Sequence, residues 1–387
     1  MSPDRRRVAV LTTGRQDYGI LRSSLHRMAS DDRFDLRLWV GGMHLDQRFG
    51  RTVELIRADG LQPARELPFL HDPPDIAADS SAAIAAVSAA VAADRPAMLV
   101  LLGDRTETLA AAFAALVARV PVVHLHGGEE SEGVLDNACR HAITKLSHLH
   151  LVSHFRHAER VIQMGEDPAN VVIVGAAGLD NLYRPDLPDD AELARVLSRA
   201  IGERLVMVTM HPSTLGATSL EDAEAVAAAM AAVNATYVIT APNSDAGGDA
   251  IRSFWRGWVG ARPNAVLVDA LGERLYWGLM RRARVVLGNS SSGIIEAPAA
   301  GAAVINVGDR QGGRFRYGQV TDVPGNAEEI RVALAAALDA TRPGPTASVG
   351  GYPSGPAAPR IVEAISGWAP PNPPRKQFRD LSCTSTS

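Results

Sequence analysis

The chain has 387 residues, longer than a single hydrophobic core usually organises, so two domains with sizeable interiors are expected and a cleft between them is the default ligand site. Lys and Arg total 39 against 43 Asp and Glu, a formal charge of -4, which leaves no excess positive field for a polyphosphate chain and argues against a nucleic-acid partner. A hydrophobic share of 46% with 21% charged residues excludes the profile of a disordered chain.

The N-terminal arginines precede an apolar run, Val8 to Thr13, that is too short for the core of a signal peptide and reads as a first strand. It ends in GRQDYG, residues 14–19, and ligands of α/β proteins sit at the carboxyl ends of parallel strands. Arg15 and Asp17 are therefore cleft candidates; an equal reading has Asp17 capping a helix that starts near Tyr18. Leu36 to Val40 is the next strand. Met98 to Leu102 follows and leads into GDRTE and an Ala-rich helix from Leu109, with Asp104 or Glu107 as a candidate base and Arg105 as a phosphate fork. The competing reading is an N-cap with acidic first-turn residues complementing the helix dipole. Leu109 to Leu125 is interrupted by Arg119 and Pro121, and no membrane span is expected.

After the strand Val120 to His124, the segment HLHGGEESEGVLDNACRHAITKLSH packs three glutamates, an aspartate and several histidines around glycines, a polar density that is costly to bury without a use. From Val134 a helical apolar stripe leaves Asp136 and Arg140 on another face, where they could form a routine ion pair worth about 0.3 kcal/mol. His124, His126 and Glu129 imitate a three-ligand metal set, but no further cluster completes a metal spacing, and no metal is expected. Carboxylates gathered with histidines suit general acid/base work better. The strands His150 to Val152 and Val171 to Val174 close the first half.

Leu182 to Asp190, with two prolines and three acidic residues, reads as a hinge, and places one domain at 1–181 and a second at 182–360. The second half repeats the alternation, with strands at Leu205 to Met210, Ala235 to Thr240, Ala265 to Val268, Arg284 to Leu287 and Ala303 to Val307. HPST follows the first of these and APNSDAGG the second. GNSSSGIIEAP places Ser290 to Ser292 at a helix N-terminus, where amides, hydroxyls and the dipole favour phosphate; a capping box fails because Gly293 stands where Glu296 would need a partner. GDRQGGRFR adds arginines in a Gly-rich loop. A short helix from about Ile361 returns, and the tail after Pro370 is expected to be mobile, with RKQFRDL the exception. Two cysteines, Cys139 and Cys383, are too few for a disulfide framework and fit a reducing cytoplasm. The dinucleotide, P-loop, zincin and serine-hydrolase motifs are missing.

Taken in order, TGRQDYG, LGDRTETLAA, HLHGGEESEGVLDNACRHAITKLSHLH, VGAAGLDNL, HPST, PNSDAGG, GNSSSGIIEAP and INVGDRQGGR resemble the hydrolysing UDP-N-acetylglucosamine 2-epimerase family, and RKQFRDL resembles its closing segment. The resemblance implies an α/β, glycosyltransferase-B-like pair of Rossmann-like, doubly wound domains with UDP held in the interdomain cleft, a last helix and tail at 361–387, no cofactor, and a homodimer or homotetramer. It implies conversion of UDP-GlcNAc and water to UDP and N-acetylmannosamine, by removal of the C2 proton, elimination of UDP to a 2-acetamidoglucal, and hydration. The same chemistry on a UDP-2,4-diacetamido-trideoxyhexose is the nearest alternative; a glycosyltransferase or a non-catalytic nucleotide-sugar-binding protein stands further off. Carried over by position, Arg15, Asp17, Asp104, Glu129, Asp136, Arg140 and His211 fall on catalytic or supporting positions, and Arg105, Asn243, Ser290, Ser291, Glu296 and Arg314 on UDP positions. One departure stands out: where the family usually has two adjacent aspartates, this chain has Asp136 and Asn137, and an amide cannot exchange a proton at neutral pH.

Overall fold

A computed structural model describes residues 5–130, 135–212, 219–242, 248–269, 271–312, 316, 320–342, 352–353 and 355–380. The chain forms two compact units, residues 1–180 with 351–387, and residues 181–350.

In unit 1 strands and helices alternate: β1 (Arg6–Thr12), α1 (Arg15–Ala29), β2 (Phe34–Gly41), α2 (Val53–Ala58), β3 (Arg65–Leu67), α3 (Ile76–Asp94), β4 (Met98–Leu102), α4 (Thr106–Val117), β5 (Val122–Leu125), α5 (Asp136–Leu146), β6 (Leu149–Val152), α6 (Phe155–Gln163) and β7 (Val171–Ile173). Seven strands form one sheet in the order β3-β2-β1-β4-β5-β6-β7, every pair parallel. Successive residues of a strand point to opposite faces. Val8 and Val10 accordingly enter one core with Leu21 and Leu25 of α1, while Ala9 and Leu11 enter another with Val87 of α3 and Ala111 of α4. Burial on both faces is why the central strands read as unbroken apolar runs. The helix α3, 19 residues with a mean hydropathy of 1.6, is long and apolar enough to cross a membrane by length and composition. Here it covers the sheet with Ala83, Val87, Ala90 and Val91, and its last residue, Asp94, accepts hydrogen bonds from Trp39 at 2.7 Å and Arg65 at 2.7 Å.

Unit 2 holds α7 (Asp190–Leu197), β8 (Leu205–Thr209), α8 (Ser219–Ala231), β9 (Thr236–Thr240), α9 (Gly248–Gly260), β10 (Ala265–Val268), α10 (Gly272–Arg282), β11 (Val285–Gly288), α11 (Ser291–Ala299), β12 (Ala303–Val307), β13 (Val320–Val323) and α12 (Ala327–Asp339). Its parallel sheet runs β10-β9-β8-β11-β12-β13. Both sheets therefore reverse direction of growth once, between β1 and β4 and between β8 and β11. Such a switch point splays the two flanking loops apart at the carboxyl ends of the strands and leaves room for a ligand there.

The helix α13 (Ala358–Gly367) returns to unit 1 and packs its Ile361, Val362 and Ile365 into the core shared with α1. Both its ends are held by groups from that unit. The buried carboxylate of Asp180 accepts from the amides of Ala357 at 2.5 Å and Ala358 at 2.7 Å, satisfying donors that the first turn cannot. Arg6 donates to the carbonyls of Ile365 at 3.0 Å and Trp368 at 2.8 Å. Asp180→Ala would leave two buried amides without an acceptor. It is expected to lower stability by about 1–3 kcal/mol in urea unfolding monitored on unit 1, and an unchanged midpoint would contradict this role.

Candidate functional site

The loop after β4 and the start of α5 are joined by one buried side chain. Arg140, 5% exposed, lies one turn into α5, and its guanidinium fork pairs with Asp104, donates to Asn137 Oδ1 at 2.9 Å and donates to the Glu129 carbonyl at 2.8 Å. The ion pair expected within the helix, Asp136 with Arg140, is thus replaced by a long-range one with Asp104. Asp136 opens the helix on its exposed first turn and makes no ion pair among the described residues.

Glu129 is held by its side chain as well. Its Oε1 accepts from His126 Nδ1 at 2.7 Å and from the Ser153 hydroxyl at 2.7 Å, and Ser153 meets His157 Nδ1 at 2.9 Å. Burial alone would raise the Glu129 carboxyl, but the His126 charge and hydrogen bond, with help from His157 and Ser153, pull it down to about 2. Burial would lower His126 and Glu129 more than reverses this, so the imidazole is shifted toward its charged form. Glu129 is consequently a fixed anion.

His124 and His126 do not share a strand face. The strand β5 ends at Leu125, and His126 turns out of it with φ +63. His124 is fully buried with Nε2 on the Gly103 carbonyl at 2.8 Å and Nδ1 on Thr144 Oγ1 at 3.3 Å, and burial lowers it to about 3. A neutral imidazole there is a spacer between β4, β5 and α5. The tight turn that follows needs Gly128, whose φ is +77 and where a Cβ would lie 2.4 Å from the His157 carbonyl oxygen.

On the other side of the switch point, α1 begins at Arg15 rather than near Tyr18. Arg15 is exposed at its first position, and Asp17, two residues on, reaches back to the Thr13 amide at 3.1 Å and the Thr13 hydroxyl at 2.7 Å. Asp17 thus braces the β1 loop from inside the helix rather than capping it, and burial raises its carboxyl against the pull of Arg105. Arg105 occupies the N-cap position of α4 and donates to the buried Glu107 at 2.6 Å.

In unit 2 the switch point is closed by a residue that sequence reasoning passed over. Asn289, 3% exposed, accepts from the His211 amide at 2.7 Å and donates to the His211 carbonyl at 2.9 Å, so the ends of β8 and β11 are clasped by one amide side chain. Gly288 beside it has φ +133, and a Cβ there would sit 2.0 Å from the Thr209 carbonyl oxygen. The Asn289 carbonyl accepts from Gln311 at 2.9 Å and Arg310 at 3.1 Å. Ser290 is the N-cap residue of α11 but makes no capping bond with its side chain; its hydroxyl lies 3.1 Å from that of Ser292, which also bonds Tyr276. Ser290 and Ser291 are half-buried at a helix start whose amides suit an anion. Asn243 and Arg314 lie outside the described residues.

In unit 1 the structure joins Asp104, Glu129 and Arg140 by direct contact, with Arg15, Asp17, Arg105 and Asp136 at the starts of neighbouring helices; in unit 2 His211 and Ser290 flank Asn289, and Ser291 and Glu296 follow in α11. The unit 1 set joins ion-paired carboxylates, three guanidinium groups and two carboxylates, Asp17 and Asp136, that make no ion pair among the described residues, the equipment for moving a proton beside developing negative charge. The unit 2 set offers amides and hydroxyls to an anion.

A family model described as UDP-N-acetylglucosamine 2-epimerase matches residues 26–366. A Legionella pneumophila protein named UDP-N,N'-diacetylbacillosamine 2-epimerase (hydrolyzing) is 35% identical over 346 residues, covering 86% of this chain and 89% of that one. A Campylobacter jejuni protein named GDP/UDP-N,N'-diacetylbacillosamine 2-epimerase (hydrolyzing) is 32% identical over 324 residues, covering 82% of this chain and 84% of that one. The crystal structure of UDP-GlcNAc 2-epimerase from Neisseria meningitidis bound to UDP-GlcNAc superposes with a TM-score of 0.71 at 15% identity, covering 93% of this chain and 99% of that one, which establishes a shared fold.

Glu296 supplies a prediction by titration. Burial, reinforced by the charge of Glu273, raises its carboxyl from 4.5 to about 7. Between those values the folded chain keeps a proton that the unfolded chain has released, so stability falls as pH rises through that window. Glu296→Gln lacks this penalty: its melting temperature minus that of the wild type should grow from pH 4.5 to about 7. Parallel curves would contradict the assignment.

Proposed function

Because the chain belongs to the UDP-N-acetylglucosamine 2-epimerase family, we propose that it is a hydrolysing 2-epimerase of a UDP-linked 2-acetamido sugar, releasing UDP and the free sugar inverted at C2. The observation that carries the reading is the Arg140 cluster, in which one guanidinium pairs with Asp104 and holds the Glu129 backbone, while His126 and Ser153 hold the Glu129 carboxylate and Asp136 makes no ion pair among the described residues. A carboxylate removes the C2 proton, the C2 electron pair forms the C1–C2 double bond, and the C1–O bond breaks as UDP departs with its electrons. Water then adds its hydroxyl to C1 while a proton is delivered to C2 from the opposite face.

We assign removal of the C2 proton to Asp136, since Glu129 is committed to His126, Asp104 to Arg140 and Asp17 to Thr13; the proton delivered to the opposite face comes from solvent water. Arg15, Asp17 and Arg105 support the same centre. His211, Ser290, Ser291 and Glu296 are assigned to UDP, with Asn243 and Arg314 kept as UDP residues by resemblance. Asn137 carries no proton in this scheme: its amide oxygen accepts from Arg140, a part that needs an acceptor and no carboxylate at that position.

The relatives favour a UDP-2,4-diacetamido-trideoxyhexose as substrate, because two of them are named for diacetylbacillosamine at 35% and 32% identity. UDP-GlcNAc, after which the family is described, is the second reading. Each sugar nucleotide incubated in D2O and followed by NMR separates them. The reading expects free UDP without any acceptor and a C2-inverted sugar carrying deuterium at C2, formed faster from the diacetamido substrate. Asp136→Asn should lower kcat by about 10²-fold or more. Intact UDP-sugar, or protium retained at C2, would overturn the elimination.

A further inference from the structure

We infer that Lys376, in the segment 375–380 near the end of the chain, is a positioning residue that clamps the last turn of α5, the helix presenting Asp136, Asn137 and Arg140. The inference rests on the proposed reaction only for the activity by which it is measured.

The final carbonyls of a helix have no partner within it, and a cation near them also complements the dipole. The Ser147 amide takes one of them, the Thr144 carbonyl, at 3.1 Å, and Lys376, 232 residues beyond Thr144, supplies the further donors. Its Nζ donates to the carbonyls of Thr144 at 3.1 Å and Lys145 at 2.8 Å, and pairs with Glu166 Oε2 at 2.7 Å. That uses all three ammonium donors. Glu166 is itself 3% exposed and takes two more basic groups, Lys145 at 2.6 Å and His150 at 3.0 Å. The carboxylate therefore welds the tail, the last turn of α5 and β6 into one buried knot, and a knot of this kind is costly to open by removing one member.

Two further contacts hold the segment in register. Lys145 lies over the Phe378 ring, 4.8 Å from its centroid. The Arg379 amide donates to the Gly165 carbonyl at 3.0 Å, and its guanidinium pairs with Asp167 at 2.7 Å. The clamp also reaches the candidate site by direct contact. Thr144, whose carbonyl Lys376 holds, touches His124 Nδ1 through its hydroxyl at 3.3 Å; His124 Nε2 meets the Gly103 carbonyl at 2.8 Å; and Gly103 precedes Asp104, the partner of Arg140. A shift of the last turn of α5 would thus move both members of the Arg140–Asp104 pair. Nothing places Lys376 on reacting atoms.

The test compares Lys376→Met, Lys376→Arg and a chain ending at Pro374 with the wild type. It measures kcat, UDP affinity by calorimetry, and amide hydrogen exchange along α5. Misplacement by a fraction of an ångström is enough to lower kcat about tenfold to a hundredfold in Lys376→Met and the shortened chain. UDP affinity should stay within about twofold, exchange in the last turn of α5 should quicken, and Lys376→Arg should recover most of the loss because it restores a cation and donors. Wild-type kcat and wild-type protection in Lys376→Met would overturn the inference. So would a loss in Lys376→Arg equal to that in Lys376→Met. If the wild type turns over no UDP-sugar, the proposed reaction fails, and the exchange data alone decide the clamp: unchanged protection of α5 in Lys376→Met and in the shortened chain overturns it.

Discussion

A guanidinium buried to 5% exposure is an expensive object unless every donor has a home. Arg140 finds its acceptors on three separate pieces of chain: the carboxylate of Asp104 after β4, the carbonyl of Glu129 after β5, and the amide of Asn137 one turn back in its own helix. None of those acceptors is in place unless the sheet is correctly built, and removing the Asp104 carboxylate would leave the charge unmatched. The geometry of the unit 1 site is therefore a by-product of satisfying one cation. Arginine suits the task because its planar fork can serve several acceptors in one plane, whereas an ammonium is a point charge.

Unit 2 solves the corresponding problem with a neutral group. Asn289 offers an acceptor and a donor to the backbone of His211, so the ends of β8 and β11 are tied without a buried charge. The start of α11 beside it presents the positive end of the helix dipole, the condition an anion needs. The contrast follows from what each site is proposed to do: one places carboxylates near a carbon acid, the other receives a diphosphate.

The strands at the centre of each sheet were legible because burial on both faces writes them as continuous apolar runs; β1, β4 and β8 fall within a residue or two of where periodicity puts them. Two edge strands, β7 and β10, were legible as well, but the other two were not. β3 is three residues long and carries Arg65 and Glu66, and β13 alternates with exposed positions, so neither has the two-faced apolar signature. At the site, the residues after strand ends were visible as polar breaks in apolar runs. Their pairing was not, since the Asp104 to Arg140 contact spans 36 residues and competes with an equally plausible pair inside α5. Asn289 was hidden among serines, although a single polar residue directly after a buried strand was its signal. The role of Asn137, an oddity in the sequence, becomes ordinary once Arg140 is seen to need an acceptor and not a proton.

The central claim is that the planar fork of Arg140 organises the chemistry of unit 1, and the kcat of Arg140→Lys on whichever UDP-sugar the wild type hydrolyses tests it most directly. A lysine keeps the charge but cannot reach the Asp104 carboxylate, the Glu129 carbonyl and the Asn137 amide together. The account predicts a loss of about 10²-fold or more in kcat with UDP affinity preserved. A variant that turns over at the wild-type rate would contradict it.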